Sequence, residues 1–354
     1  MEINVGKIPF DLDFHPSRSL VASGLITGYL HLYSYAANTQ PQRLLEIPVH
    51  AESCRCVRFV DDGRMLLTGS PDCSIIATDV ETGAENARLE NAHEAAVNRL
   101  INLTENTIAS GDDVGCIKVW DIRQRSCCNS FEEHTDYISD MTFAADSLTL
   151  FGTSGDGTLS VCSLQKNKVL VQSEFSEDEP LSVVIMKNGR KVICGTQNGV
   201  LLLYSWGHFQ DCSDRFTGLQ SNSVDALLKL DEERVITGSE NGIISLVGIL
   251  PNRIIQPIAE HSEYPVERLA FSHDRKYLGS ISHDKMLKIW DMDDLLEGSG
   301  NLPTGYSMEA GSDGDSDEMD EDVKPSKSSR ASKRRKGNKA NSSKKATNSF
   351  FADM

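Results

Sequence analysis

The sequence predicts an all-β, seven-bladed β-propeller with a disordered C-terminal tail, and three observations predict it. One turn motif recurs seven times, short strand-like runs flank every copy, and the composition changes abruptly after residue 297. The copies are SGLITG (23–28), GSPDC (69–73), SGDDVG (110–115), TSGDG (153–157), GTQNG (195–199), GSENG (238–242) and SISHDK (280–285). Their last residues fall 45, 42, 42, 42, 43 and 43 positions apart, the period of about 40–45 residues of one four-stranded blade. A chain of 354 residues suits one large repeat domain of this kind.

Within each repeat the strands follow in order. Before the turn lie runs such as RMLLTGS (64–70), RKVICGT (190–196) and RVITGS (234–239). After it lie CIKVW (116–120), LLLYSW (201–206) and MLKIW (286–290). Their two-residue alternation, β-branched content and Gly, Asp and Asn boundaries read as strands joined by tight hairpins. Five residues past each turn a strand end stands in register: Tyr33, Thr78, Trp120, Cys162, Tyr204, Val247 and Trp290. Helical character is confined to Met292–Glu297. The segment MDDLLEGSG after Asp291 is a poor strand, so residues 2–5 are expected to supply the outer strand of blade seven. That closure makes residues 1–297 one ring and removes the free edges that an open stack would expose, and it places the tail at 298–354.

Two blades are most complete: His93 with IASGDDVGCIKVWD (108–121), and His261 with LGSISHDKMLKIWD (278–291). These residues, and the register of all seven repeats, resemble the WD-repeat family over about Met1 to Asp291. His261, Ser280 and Asp284 have the composition of a nucleophilic triad. A set that recurs in partial form around a ring reads instead as architecture, since catalysis needs one pocket with perturbed groups. The resemblance implies a structural hydrogen-bond relay made by His93, Ser110 and Trp120 in blade three and by His261, Ser280, Asp284 and Trp290 in blade seven. Such a relay satisfies buried polar groups. Counting six back from each strand end, the Asp position holds Thr27, Asp72, Val114, Asp156, Asn198, Asn241 and Asp284. Val114 is a departure, with Asp113 one residue early, and blades five and six, lacking His and Trp, are expected to rely on apolar packing.

Composition excludes several classes. A net charge of −17 argues against a general polyanion binder, because phosphate contacts need clustered Lys and Arg. The first ten residues lack the apolar core and small-residue cleavage site of a signal peptide. No run of about 18 apolar residues predicts a membrane span. The nine cysteines are scattered with no C-x-x-C pair, which reads as reduced thiols and predicts neither a disulfide framework nor a zinc site. Neither G-x-x-x-x-G-K-S/T nor H-E-x-x-H occurs, so no cofactor, metal or catalytic role is expected.

One blade ending holds more. Trp120-Asp121-Ile122-Arg123, preceded by apolar Ile117 and Val119, resembles the docking box of cullin-4 substrate receptors, in which the Arg helps bind damaged DNA-binding protein 1. A planar guanidinium suits such an edge contact. The alternative is that Arg123 merely pairs with carboxylates on its own blade. Blade seven reads WDMD, with Asp293 at the Arg position, and offers no second box.

The tail is rich in Gly, Ser and charge, a composition expected to stay disordered. Glu309–Asp322 holds eight acidic residues and no basic one; Lys324–Lys345 holds ten basic residues and no acidic one. With Asp353 the tail is net +1, leaving −18 on the ring, so any RNA contact is expected through the tail alone. Lys333, Arg334, Arg335 and Lys336 read as an importin-dependent nuclear-import cluster or a weak nucleic-acid patch, against a purely solvating tail. Ser312 and Ser316, beside acidic residues, are candidate phosphosites. Phe350–Phe351 reads either as a short linear motif or as a frayed apolar end.

The blocks ESCRCVRFVDDG (52–63), NAHEAAVNRLINLTENTIASGDD (91–113), FSEDEPLSVVIMKNGRKVICGTQNG (175–199) and NGIISLVGILPNRIIQPI (241–258), with the ending SFFADM, resemble the WD repeat-containing protein 55 family, especially its plant members. The resemblance implies a monomeric, non-enzymatic interaction scaffold of the nucleus and nucleolus, with some presence in the cytoplasm. It implies two roles: ribosomal RNA processing with pre-ribosomal proteins and, in plants, a substrate receptor on damaged DNA-binding protein 1 and the cullin-4 ligase, serving reproductive and embryo development.

Overall fold

The structure, a computed structural model, describes residues 1–37, 39–219 and 223–297. Residues 298–354, with Ser312, Ser316, the cluster Lys333–Lys336 and Phe350–Phe351, lie outside them. Seven four-stranded antiparallel sheets form the blades of a propeller. In six of them the four strands follow one another in sequence from the inner strand outward. Blade two is Cys56–Val60, Met65–Gly69, Ile75–Asp79 and Glu85–Leu89; blade three is Val97–Thr104, Thr107–Asp112, Ile117–Asp121 and Ser126–Phe131.

Blade seven differs. Val266–Phe271, Tyr277–Ser282 and Met286–Asp291 are its inner three strands, and Glu2–Asn4 is the outer one. Ile3 lies opposite Leu287, and the Ile289 amide donates to the Met1 carbonyl at 2.8 Å. The chain then turns at Asp291 into a short helix, α1 (Met292–Glu297).

Alternation along the strands places apolar side chains on both faces of each blade, and neighbouring blades bury them against each other. One apolar cluster occupies every seam, so the core is seven slabs rather than one globule. Close approach is part of this packing: a Cβ on Gly111 would stand 2.6 Å from the Ile138 side chain of blade four. At the seven turn ends, residues 28, 73, 115, 157, 199, 242 and 285 all have positive φ, from 63° to 90°. The sequence repeat is therefore a repeat of one left-handed backbone position, which glycine adopts at least cost.

Charged residues bridge the inner strands. Asp11 of blade one accepts from Arg58 of blade two at 2.6 Å and lies 3.4 Å from Arg268 of blade seven. Arg268 also reaches Asp140 of blade four at 3.1 Å. Burial by itself would weaken the Arg268 charge, but the two carboxylates outweigh it and hold the guanidinium firmly protonated. Such a buried set needs every partner in place.

Candidate docking surface

In blade three the relay is continuous. The Trp120 indole N–H donates to Ser110 Oγ at 2.7 Å, and Ser110 Oγ lies 2.6 Å from His93 Nε2. His93 Nδ1 lies 2.7 Å from Asp112 Oδ2. With Ser110 accepting from Trp120 and donating to His93, Nδ1–H is left for Asp112. Blade seven repeats the arrangement with Trp290, Ser280, His261 and Asp284 at 2.8, 2.7 and 2.8 Å. Ser110 and Ser280 are fully buried, and each hydroxyl is already engaged by two partners. The arrangement fixes strands to one another and leaves no nucleophile free.

The carboxylate of blade three is Asp112, not a residue at the Val114 position. Asp112 stands where blade two has Ser70, at the strand end, and reaches the imidazole from there. Its Oδ1 accepts the amides of Val114 and Cys116 at 3.1 and 2.8 Å. Burial pushes its acidity one way, but hydrogen bonds from His93 and these amides prevail and hold the carboxyl below its usual range. His93, Asp112 and Cys116 also come within ligand distance of one another. The first two are saturated by hydrogen bonds, and burial keeps the Cys116 thiol protonated, so the chemistry is that of a relay rather than a metal centre.

Two more relays were missed in the sequence. His50 joins Thr68 and Asp72, each at 2.9 Å, and His134 joins Asp156 at 3.0 Å. The signal was present: His50, His93 and His134 recur at the blade period. In blade four Gly152 stands at the Ser110 position, and His134 Nε2 is left buried without a partner. Blade five is not purely apolar either. Asp178 accepts from Asn198 at 2.9 Å and pairs with Arg215.

The box residues divide by exposure. Trp120 is buried, Asp121 is half-buried with Oδ1 accepting the Gln124 amide at 2.9 Å, and Arg123 is exposed. Among the described residues Arg123 makes no hydrogen bond or ion pair, so it is not spent on its own blade's carboxylates. Beside it, between blades two and three, opens a cavity of about 230 Å³ whose walls include Leu67, Ala77, Leu89, Ile108 and Trp120. Arg123 and Arg125 stand on its rim.

The WDR55 family model matches residues 1–295. The chain is 66% identical over 313 residues to WD repeat-containing protein 55 of Arabidopsis thaliana, covering 88% of each. It is 39% identical over 285 residues to WD repeat-containing protein 55 of Bos taurus, covering 80% of this chain and 74% of that one. It is 36% identical over 305 residues to WD repeat-containing protein JIP5 of Coprinopsis cinerea, covering 82% and 74%.

The chain belongs to the WDR55 family.

WDR55-family membership accords with the geometry. WD-repeat propellers typically serve as non-enzymatic scaffolds for protein interaction, and the relays here are engaged internally. Five of the nine cysteines of this WDR55-family chain are buried, the behaviour of small apolar side chains.

Proposed function

We propose that this chain is a nuclear docking scaffold whose blade-three rim binds damaged DNA-binding protein 1, making it a substrate receptor of a cullin-4 ubiquitin ligase. The observation that supports this reading is Arg123: exposed, unpaired among the described residues, and set beside an apolar cavity. Trp120 serves from inside, by anchoring the strand end from which Arg123 projects. In a plant, this reading places the protein's contribution to reproductive and embryo development in targeted degradation.

The test compares wild-type and Arg123→Ala protein in recovery from plant cell extract. Selective loss of the adaptor, at an unchanged melting temperature, supports the reading. Adaptor recovery that ignores the substitution, or is absent with wild-type protein, sinks it.

The charge layout of the tail favours a second role, in ribosome assembly and ribosomal RNA processing in the nucleolus. Ten basic residues within Lys324–Lys345 suit importin and RNA contacts. Removing residues 298–354 should abolish nucleolar retention and slow precursor processing on northern blots, whereas Arg123→Ala should affect neither.

A further inference from the structure

We propose that the cavity at the seam of blades two and three receives an acidic helical turn of a partner protein, inserted through a Leu or Met side chain. The proposal rests on the reading of Arg123 as a docking residue and names the chemistry that docks there.

The argument comes from a second seam of the same ring. Strand register aligns blade two with blade six and blade three with blade seven. Leu67, Ile75, Ala77 and Ala87 correspond to Ile236, Ile244, Leu246 and Gln256, and Ile108 and Trp120 to Leu278 and Trp290. At the seam of blades six and seven, α1 follows Trp290-Asp291 and lays Met292 and Leu295 into the cluster formed by Ile236, Ile244, Leu246 and Leu278. Both side chains are buried there. The acidic residues of its first turn, Asp293 and Asp294, are exposed.

At the seam of blades two and three the chain does something else after Trp120-Asp121. Ile122 matches Met292, but the chain turns back at Arg125, with φ of 51°, into the outer strand. Among the described residues nothing there takes the part of Leu295. The floor is also lower, because Ala77 and Ala87 face each other directly. The same cross-strand position holds Leu32 and Leu45 in blade one and Val161 and Val171 in blade four. Together these differences leave the 230 Å³ cavity, larger than the roughly 150 Å³ apolar cavity that admits a benzene ring.

Charge selects the occupant. Where α1 carries Asp293, this rim carries Arg123, and Arg125 lies beside it. Asp61, Glu105 and Asp121 also line the cavity. Asp61 lies 3.8 Å from Arg64 and Asp121 Oδ1 already accepts the Gln124 amide, whereas Arg123 has no partner among the described residues. An incoming turn therefore directs its acids toward Arg123 and its apolar residue onto Trp120, an amphipathic helix in a groove.

The probe is a fluorescein-labelled, helix-stapled peptide with the sequence of residues 292–297, titrated by fluorescence anisotropy into the full chain. Binding to wild-type protein should weaken at least tenfold in Ala77→Leu/Ala87→Leu, which fills the cavity, and in Arg123→Glu. Ala87→Leu, on the outer strand, serves should the double variant misfold, and its melting temperature should match or exceed that of wild type. Peptide affinity unchanged by filling, or no binding to wild type, overturns the proposal. Adaptor recovery separates the two readings. If Arg123→Ala loses the adaptor and Ala87→Leu keeps it, the docking reading stands and the cavity proposal falls. If filling abolishes peptide binding while no variant alters adaptor recovery, the cavity proposal stands and the adaptor reading falls.

Discussion

Ser110 serves two buried neighbours at once, accepting from the Trp120 indole and pairing with His93 Nε2. Ser110→Ala should therefore destabilise the ring by about 2–4 kcal/mol in denaturant titration, the cost of leaving two buried polar groups unpaired. His134, whose Nε2 is already unpartnered, gives the contrast: His134→Gln should cost less than His93→Gln in the same assay. Titration follows from burial. Burial holds the imidazoles of His50 and His261 below their ordinary value, against the pull of Asp72 and Asp284. Their contribution is complete above the unfolded value near 6.5 and is lost as pH falls below it. Asp13 has the opposite sign, since burial pushes its carboxyl up to about 6. Its penalty is full above pH 6 and gone below about 4. Because its two oxygens accept the Phe14 and Phe59 amides, Asp13→Asn loses one of these bonds at every pH, and its melting temperature should fall further below that of wild type at pH 4 than at pH 7.5. Much of this scale was legible. Ser110, Trp120 and their blade-seven counterparts stand where the repeat put them. Asp112 was not, because counting back from Trp120 finds the turn residue, whereas the carboxylate reaches His93 from the strand end.

At the scale of the hairpin, one backbone conformation recurs in every blade, and five of the seven turn ends are glycine. Gly28 shows what the position demands: a Cβ there would stand 2.3 Å from the His50 carbonyl oxygen, on a backbone of φ +79°. Gly28→Ala should cost on the order of 2 kcal/mol or more, through left-handed strain and the clash together. Lys285, at φ 66°, bears the strain without glycine's freedom. Lys285→Gly should gain about 1 kcal/mol, read from the shift in denaturation midpoint. The period of these turns made the blades legible. The gap between blades two and three was not, because it depends on Ala77 and Ala87 meeting across strands, and on what does not follow Asp121.

The ring as a whole is held by contacts between residues far apart in the chain. Arg268 joins blade seven to blade four and to Asp11 of blade one. Asp140→Ala should cost about 3 kcal/mol, the effect of leaving buried Arg268 with Asp11 alone and the Val183 amide without its acceptor, and should lower the midpoint of one cooperative transition monitored by tryptophan fluorescence and circular dichroism alike. The pairing of Asp11, Asp140 and Arg268 was not legible in the sequence, since no local pattern reports a partner 128 residues away. The outer strand of blade seven adds a constraint in time. Met1 and Ile289 pair across 288 residues, and at roughly 5–20 residues per second a ribosome needs about 15–60 s to make the second after the first. Throughout that interval Glu2–Asn4 is a strand without a sheet, and every blade before the seventh is built beside an open end. A transcript cut short before the last repeat therefore yields no smaller propeller, only an unclosed arc for chaperones to hold and proteases to remove.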